Sequence, residues 1–267
     1  MDLSIRIPSI DELLENADIE LIVPEQGGLT KEVHSVRYRG REFILRICSN
    51  GNADAISFYS DFLSPRKILP RLLRRRGEYL LFEYLDGRDC NYDNRNVAYE
   101  VGRISGEVTK IPCSVEKDFD EIFGKALDYL LSNGLIDDEK ASRIIEKYWK
   151  LRPAEPETRI ELSDVIPGNF RLSSGRLYLV DVDSIGPRMK GRCFSKAFLK
   201  WFKDRYSRER FKQGYDSVAD PGFLTSDYLQ YLYLRFAIGK ARAWHKRNGK
   251  QQKAIDWIDL LLEDNLS

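Results

Sequence analysis

The stretch ELSDVIPGNFRLSSGRLYLVDVD, residues 161–183, concentrates the side chains best suited to chemistry. Asp164 and Asn169 stand five residues apart, and Asp181 follows Asn169 by 12. Carboxylates and a carboxamide supply hard oxygen donors, the kind that magnesium and calcium take. The same residue types also build ordinary turns, which Asp, Asn, Pro and Gly each favour. Three readings follow from the types alone: a solvated turn, a divalent-metal site, or part of a phosphoryl-transfer centre.

Whichever holds, the residues need a scaffold. The 267-residue chain is long enough for one large domain or two lobes around a hinge. With 42% apolar and 32% charged residues it is too apolar for intrinsic disorder. Lys and Arg number 43 against 42 Asp and Glu, so no general attraction to nucleic acid or anionic membrane is expected. Cys48, Cys90, Cys113 and Cys193 are far apart and only His34 and His245 accompany them. A zinc site or disulfide framework is therefore not expected, and reduced thiols in a cytoplasmic protein are. The N-terminal residues show no signal-peptide pattern, and no apolar run approaches the roughly 20 residues of a membrane span.

The order of periodicities describes that scaffold. Ser9 and Glu12 form a capping-box pattern that opens a short helix. ELIVPEQ, KEVHSVRYRG and REFILRIC read as three strands of an antiparallel meander, separated by Gly27-Gly28 and by Gly40. Residues 53–63 are helical, with Ile56, Tyr59, Phe62 and Leu63 at helical spacing, and KILPRLLRR and EYLLFEYL resume as strands around Arg76-Gly77. From Val97 to Trp149 the pattern is almost wholly helical. Ile122, Phe123, Ala126, Leu127 and Leu130 form an apolar stripe that ends at Asn133-Gly134. Strand character returns briefly at FRL and LYLV. Helices follow, one carrying Phe194, Ala197, Phe198, Trp201 and Phe202, and another, YLQYLYLRFAI, apolar nearly all round and expected to be buried.

In this order the chain resembles the aminoglycoside phosphotransferase and choline kinase-like family. SDVIPGN looks like its catalytic loop HGDxxxGN, and LVDVD like the segment that carries its metal-binding aspartate. EQGGLTKEVHSVRY resembles the glycine-containing nucleotide loop, FILRI the strand with the phosphate-contacting cation, LLFEYLDG the hinge, and VAYEVGRISGEVTKI the helix beyond it. The resemblance covers roughly residues 19–184.

It implies an α+β, two-lobed protein-kinase-like fold. Residues 1–85 would form a nucleotide-binding lobe, a small antiparallel sheet with one helix, and 86–267 a mainly helical lobe carrying the catalytic loop and substrate pocket. It further implies ATP and Mg²⁺ as cofactors and a small-molecule hydroxyl as acceptor. Asp164 would orient or deprotonate the acceptor, while Asn169 and Asp181 hold metal. Arg46 would touch the α/β-phosphates, Gly27, Gly28 and Thr30 would cradle them, and Glu83 to Leu85 would offer backbone groups to adenine.

Leu162-Ser163 stands where the family has His-Gly, and Arg46 where many members have Lys. Asp54, with Asp61 behind it, is the expected acid partner of Arg46. These departures keep a second reading open: a nucleotide- or anion-binding module without transfer activity. Asp183 is read as a capping or solvated carboxylate, with a metal-ligand role as the alternative. Between Arg188 and Lys212 ten Lys or Arg accompany only Asp204 and Glu209. That segment is either a solvated helix face or a site for an anionic ligand, and it speaks against a polycationic substrate.

Overall fold

A computed structural model describes residues 7–21, 32–90, 95–249 and 251–263. The chain divides into two compact units, Met1–Asp93 with Pro167–Ser184, and Asn94–Ile166 with Ile185–Ser267. The segment 167–184, expected with the helical part, belongs with the sheet instead. The reason is its hydrogen bonding, described below.

The first unit opens with helix α1 (Ile10–Asn16), whose capping box forms as expected: Ser9 N–H donates to Glu12 Oε2 at 2.8 Å and Glu12 N–H to Ser9 Oγ at 3.1 Å. Strands β1 (Asp18–Leu21), β2 (Glu32–Tyr38) and β3 (Arg41–Ile47) pair antiparallel in sequence. The β2–β3 turn is two residues long, Arg39 and Gly40, both at positive φ, which matches the twist of the flanking strands. After helix α2 (Asn50–Leu63) come β4 (Leu72–Arg76) and β5 (Tyr79–Glu83). The first three strands thus form the expected antiparallel meander, and β5 inserts next to β3, giving the order β1-β2-β3-β5-β4.

Alternation divides the side chains of this sheet between two faces. Val36, Phe43, Leu45 and Leu81 pack with Leu13 of α1 into one buried cluster. Val33, Ile44, Arg46 and Phe82 point to the opposite face; Val33 is in register with Arg46, and Ile44 with Phe82. Three further strands complete the unit: β6 (Gly87–Asp89), β8 (Phe170–Ser173) and β9 (Arg176–Leu179), in the order β6-β8-β9. Leu179 N–H donates to Ile68 O at 2.8 Å and Cys90 N–H to Phe170 O at 3.2 Å, and these bonds bind the hairpin to the sheet-bearing part of the chain.

The second unit contains helices α3 (Arg95–Val108), α4 (Phe119–Ser132) and α5 (Asp138–Leu151), then strand β7 (Thr158–Leu162), which pairs with β10 (Ile185–Met189). Helix α6 (Arg192–Lys196) runs into a π turn over Ala197–Trp201, and α7 (Arg205–Asp216), α8 (Ser226–Asn248) and α9 (Gln252–Leu262) follow. Phe119, Phe123, Ala126, Leu127 and Leu130 form the buried stripe of α4. Ile122, expected in that stripe, is 44% exposed, because it falls off the i, i+4, i+7, i+8, i+11 series that the other five follow. Gly134 at φ +64° closes the helix, as Asn133-Gly134 foretold. The core of α8 is buried as expected, through Tyr231, Leu232, Tyr233, Leu234, Phe236, Ala237 and Ile238.

Helices α3 and α7 meet backbone to backbone. A Cβ on Gly102 would lie 1.9 Å from the Phe211 carbonyl oxygen, and one on Gly214 would lie 1.9 Å from that of Tyr99. Glycine is the residue that lets both carbonyls approach.

Candidate active site

The face of the first sheet that carries Arg46 borders a cavity of about 200 Å³. Val33, Ile44 and Phe82 contribute apolar wall from the sheet, Val180 and Val182 from the end of the β8–β9 hairpin, and Pro70, Glu83, Tyr84, Leu85 and Arg171 complete the lining. A largely apolar slot with two arginines, Arg46 and Arg171, in its lining suits a flat heterocycle bearing an anionic tail.

Arg46 is 9% exposed, which an unpaired guanidinium would not tolerate. Its Nη2 lies 3.3 Å from Asp183 Oδ2 and 3.8 Å from Asp181 Oδ1. The expected partner, Asp54, instead pairs with Arg75 Nη2 at 2.5 Å on an exposed surface, and Asp61 is exposed. The reading of Asp183 as a solvated or capping carboxylate also needs correction, since its side chain is 21% exposed and serves as a charge partner of Arg46.

Asn169 ends a 3-10 turn, Pro167–Asn169, and is 9% exposed. Its carbonyl accepts the Val180 N–H at 2.9 Å, so the residue before Asp181 is tied to the turn that carries Asn169. The Asp181 carbonyl in turn accepts Ser184 Oγ at 2.6 Å and Ser184 N–H at 3.3 Å, closing the 3-10 turn Val182–Ser184. Val182 therefore reaches the cavity while Asp181 and Asp183 flank it.

Glu83 and Leu85 line the cavity, and parts of both are already engaged. Glu83 Oε1 accepts the Arg71 N–H at 2.8 Å, and the Glu83 N–H donates to Arg71 O at 3.0 Å. The Leu85 carbonyl accepts Arg171 Nε at 2.9 Å. Arg171, which no sequence motif marks, also donates through Nη2 to Gly87 O at 2.8 Å, while Ser173 Oγ donates to Asp86 O at 2.7 Å. Together these side chains pin residues 85–87 to strand β8. Gly27, Gly28 and Thr30 lie outside the described residues.

Asp164 belongs to the second unit, just beyond β7. Leu162 is fully buried at the end of β7 in register with Ile185. One residue earlier, the Glu161 carboxylate is fully buried and accepts the Gly191 N–H at 2.7 Å and the Cys193 N–H at 3.4 Å. Burial pushes its pKa up to about 7 against those two bonds. Glu161 thus ties the approach to Asp164 onto the start of α6. That helix returns the tie, because Lys196 Nζ forms an ion pair with the Asp164 carboxylate. Burial, then the cations Lys240 and Lys200, draw Lys196 down to about 7; the Asp164 carboxylate in contact with it acts the other way. The sequence singles out neither Glu161 nor, within the basic segment 188–212, Lys196 individually: each acquires its role from a partner about 30 residues away.

Among the described residues no group of three or more His, Cys, Asp or Glu is arranged to hold a metal ion. Asn169 and Asp181 supply one amide oxygen and one carboxylate. That donor set fits Mg²⁺, which takes one or two carboxylates and fills its remaining positions with water and phosphate oxygens. None of the four cysteines forms a disulfide. No helix among the described residues is long and apolar enough to cross a membrane.

No protein-family model matches the chain, and no curated protein sequence does. Solved structures do resemble it. The aminoglycoside phosphotransferase APH(4)-Ia superposes with a TM-score of 0.69 at 14% identity, covering 97% of this chain and 97% of that one. The choline kinase LicA from Streptococcus pneumoniae gives 0.65 at 13% identity, over 90% and 94%. An ethanolamine kinase from Plasmodium vivax gives 0.63 at 11%, over 96% and 84%. These likenesses show the fold: α+β, protein-kinase-like, with an antiparallel sheet in one unit and mainly helices in the other.

Proposed function

We propose that the chain is a phosphotransferase that moves the γ-phosphoryl group of ATP to a hydroxyl of a small molecule with Mg²⁺. The observation that carries this reading is the buried Arg46 on a largely apolar cavity lined also by Glu83 to Leu85, with Asp181 and Asp183 at its guanidinium. The structural neighbours named as kinases and phosphotransferases support it by fold.

On this reading the cavity takes the base and Arg46 takes α/β-phosphate oxygens, for which a planar guanidinium is suited. Gly27, Gly28 and Thr30 would add donors to the phosphates. Asn169 and Asp181 would hold Mg²⁺, which when bound would offset phosphate charge. Asp164 orients the acceptor hydroxyl and receives its proton. Lys196 restrains the Asp164 carboxylate until the acceptor arrives. Such a transfer asks the protein for positioning and charge compensation, and these residue types provide both.

The test is ATP consumption across a library of hydroxylated metabolites. The parent turns over with at least one acceptor, and Asp164→Asn loses about 10²-fold or more in kcat while still binding ADP. Equal turnover in parent and variant refutes the assignment. A module that binds nucleotide without transfer is the second reading, favoured by Leu162-Ser163 and by the engagement of Asp164 with Lys196. ADP binding with no turnover on any acceptor would select it.

A further inference from the structure

Arg192, Lys196 and Lys200 recur every four residues through α6 and its π turn and so share a face. Helix α8 carries Phe236, Lys240 and Trp244 at the same spacing. Cations and rings alternate between the two elements. The Arg192 guanidinium lies 4.7 Å from the Phe236 ring centre; Lys240 Nζ lies 5.8 Å from that ring and 5.9 Å from Trp244. Lys200 Nζ lies 4.6 Å from Trp244 and 4.6 Å from Trp257. Lys196, in the middle of the series, is paired with Asp164.

Aromatic faces attract cations but do not neutralise them. Among the described residues the carboxylates at this group are Asp164, on Lys196, and Glu161, beside Arg192, and Glu161 is already bonded to two backbone amides. Further cations surround the group: Arg188 and Arg235 near Arg192, Arg247 near Lys240, and Lys203 and Lys253 near Lys200. Burial, followed by like charge, draws Lys200 down to about 8 and lowers Lys240. A half-buried set of cations is a site short of negative charge, and here it adjoins the carboxylate assigned to the acceptor.

We propose that this cluster receives the acid group of the phosphoryl acceptor, so that the substrate is a hydroxylated phosphate ester or carboxylate. The acceptor role rests on the kinase reading above; the preference for an acid rests on the cluster. A cationic acceptor would meet ring faces already covered by the chain's own cations, and like charge behind them.

The experiment titrates the protein with glycerol 3-phosphate, glycerate, glycerol and ethanolamine, and separately with ADP·Mg²⁺, by calorimetry or NMR shifts. The two acids bind, glycerol and ethanolamine do not, and the stronger acid identifies the group as phosphate or carboxylate. Lys200→Met and Lys240→Met each weaken acid binding about tenfold, whereas Lys200→Arg, which keeps the charge on the rings, restores most of it. The inference is overturned if ethanolamine or glycerol binds as tightly as the acids, or if folded Met variants bind acids unchanged. ADP·Mg²⁺ binding without acid binding overturns it and leaves the kinase reading standing. Acid binding without ADP·Mg²⁺ binding overturns the kinase reading, and the acceptor role with it.

Discussion

Glu161→Gln tests the connection between β7 and α6 through its dependence on pH. The Glu161 carboxyl has no solvent exposure, and its pKa rises from 4.5 to about 7 on folding, chiefly through burial. The folded chain therefore holds the proton more tightly than the unfolded chain does. The contribution of this proton to stability is complete below 4.5 and disappears as pH rises through about 7. At about 1.4 kcal/mol for each pH unit, the swing amounts to roughly 3 kcal/mol. Glutamine does not titrate. It can accept one of the two backbone bonds but presents an NH₂ to the other, at a cost of about 1–3 kcal/mol at every pH. The variant should thus be less stable than the parent near pH 5 and close to it near pH 8. Urea unfolding of both proteins at half-unit pH steps and fixed ionic strength measures the difference, and subtraction removes the carboxylates they share. A gap that stays constant within ~0.5 kcal/mol from pH 4.5 to 7.5 would refute the reasoning.

Three further outcomes follow from single contacts. Arg46→Met should weaken ADP·Mg²⁺ about tenfold or more by calorimetry, whereas Asp54→Asn, which touches only the exposed Arg75 pair, should leave it unchanged; equal effects would restore the Asp54 assignment. Gly102→Ala places a methyl 1.9 Å from a carbonyl oxygen of α7. It should cost about 2–3 kcal/mol, seen as a melting point roughly 5–10 °C lower, and an unchanged melting point would mean that α3 and α7 do not meet there. Asp120 accepts Arg152 Nη2 at 2.8 Å and Tyr148 Oη at 2.5 Å, and the Arg152 bond first of all lowers its pKa. Its contribution is present above the usual carboxylate value of 3.8 and is lost as pH falls through the folded value. Asp120→Asn should therefore destabilise at pH 7 and converge on the parent in acid; a gap that persists at the lowest pH where both fold would contradict this.

Sequence periodicity carries the sheet because a strand half buried on each face leaves an alternating record, and FILRI shows it: Phe43 and Leu45 enter the core beside Leu13, while Ile44 and Arg46 turn to the cavity. The β7–β10 pair escapes such a reading for an equally local reason. Pro187 sits inside β10 and Pro156 lies just before β7, and proline argues against a strand unless the ladder is short and open-edged, as this two-stranded one is. The spacing of Asp164, Asn169 and Asp181 is readable as a pattern. The charge partners are not, because ion pairing is set by tertiary approach. The nearest acidic helix in the sequence offers Arg46 the side chain of Asp54, yet its carboxylates come from residues 181 and 183. The basic segment is the converse case. Its count of cations is plain in the sequence, but only the structure places Arg192, Lys196 and Lys200 on one face and the rings of α8 and α9 against them.

The division of the chain bears on mechanism through where it falls. One break lies between Ile166 and Pro167 and the other between Ser184 and Ile185, so the loop that spans Asp164 to Asn169 contributes to both units. The residues assigned to nucleotide and metal, Arg46, Asn169 and Asp181, fold with the sheet; the residue assigned to the acceptor, Asp164, folds with the helices. The short hairpin makes this partition possible. Arg171 and Ser173 fasten it to the carbonyls of residues 85–87, and Leu179 fastens it to Ile68, so Asp181 and Asp183 are held to Arg46 by bonds internal to one unit. Asp164 is set within the second unit, by the buried Leu162 two residues before it, by the Glu161 bonds to α6 and by Lys196. On the proposed assignment the phosphate grip and the acceptor site would be built on separate cores, and the helical unit could change its cations and rings without disturbing the carboxylates that face the arginine.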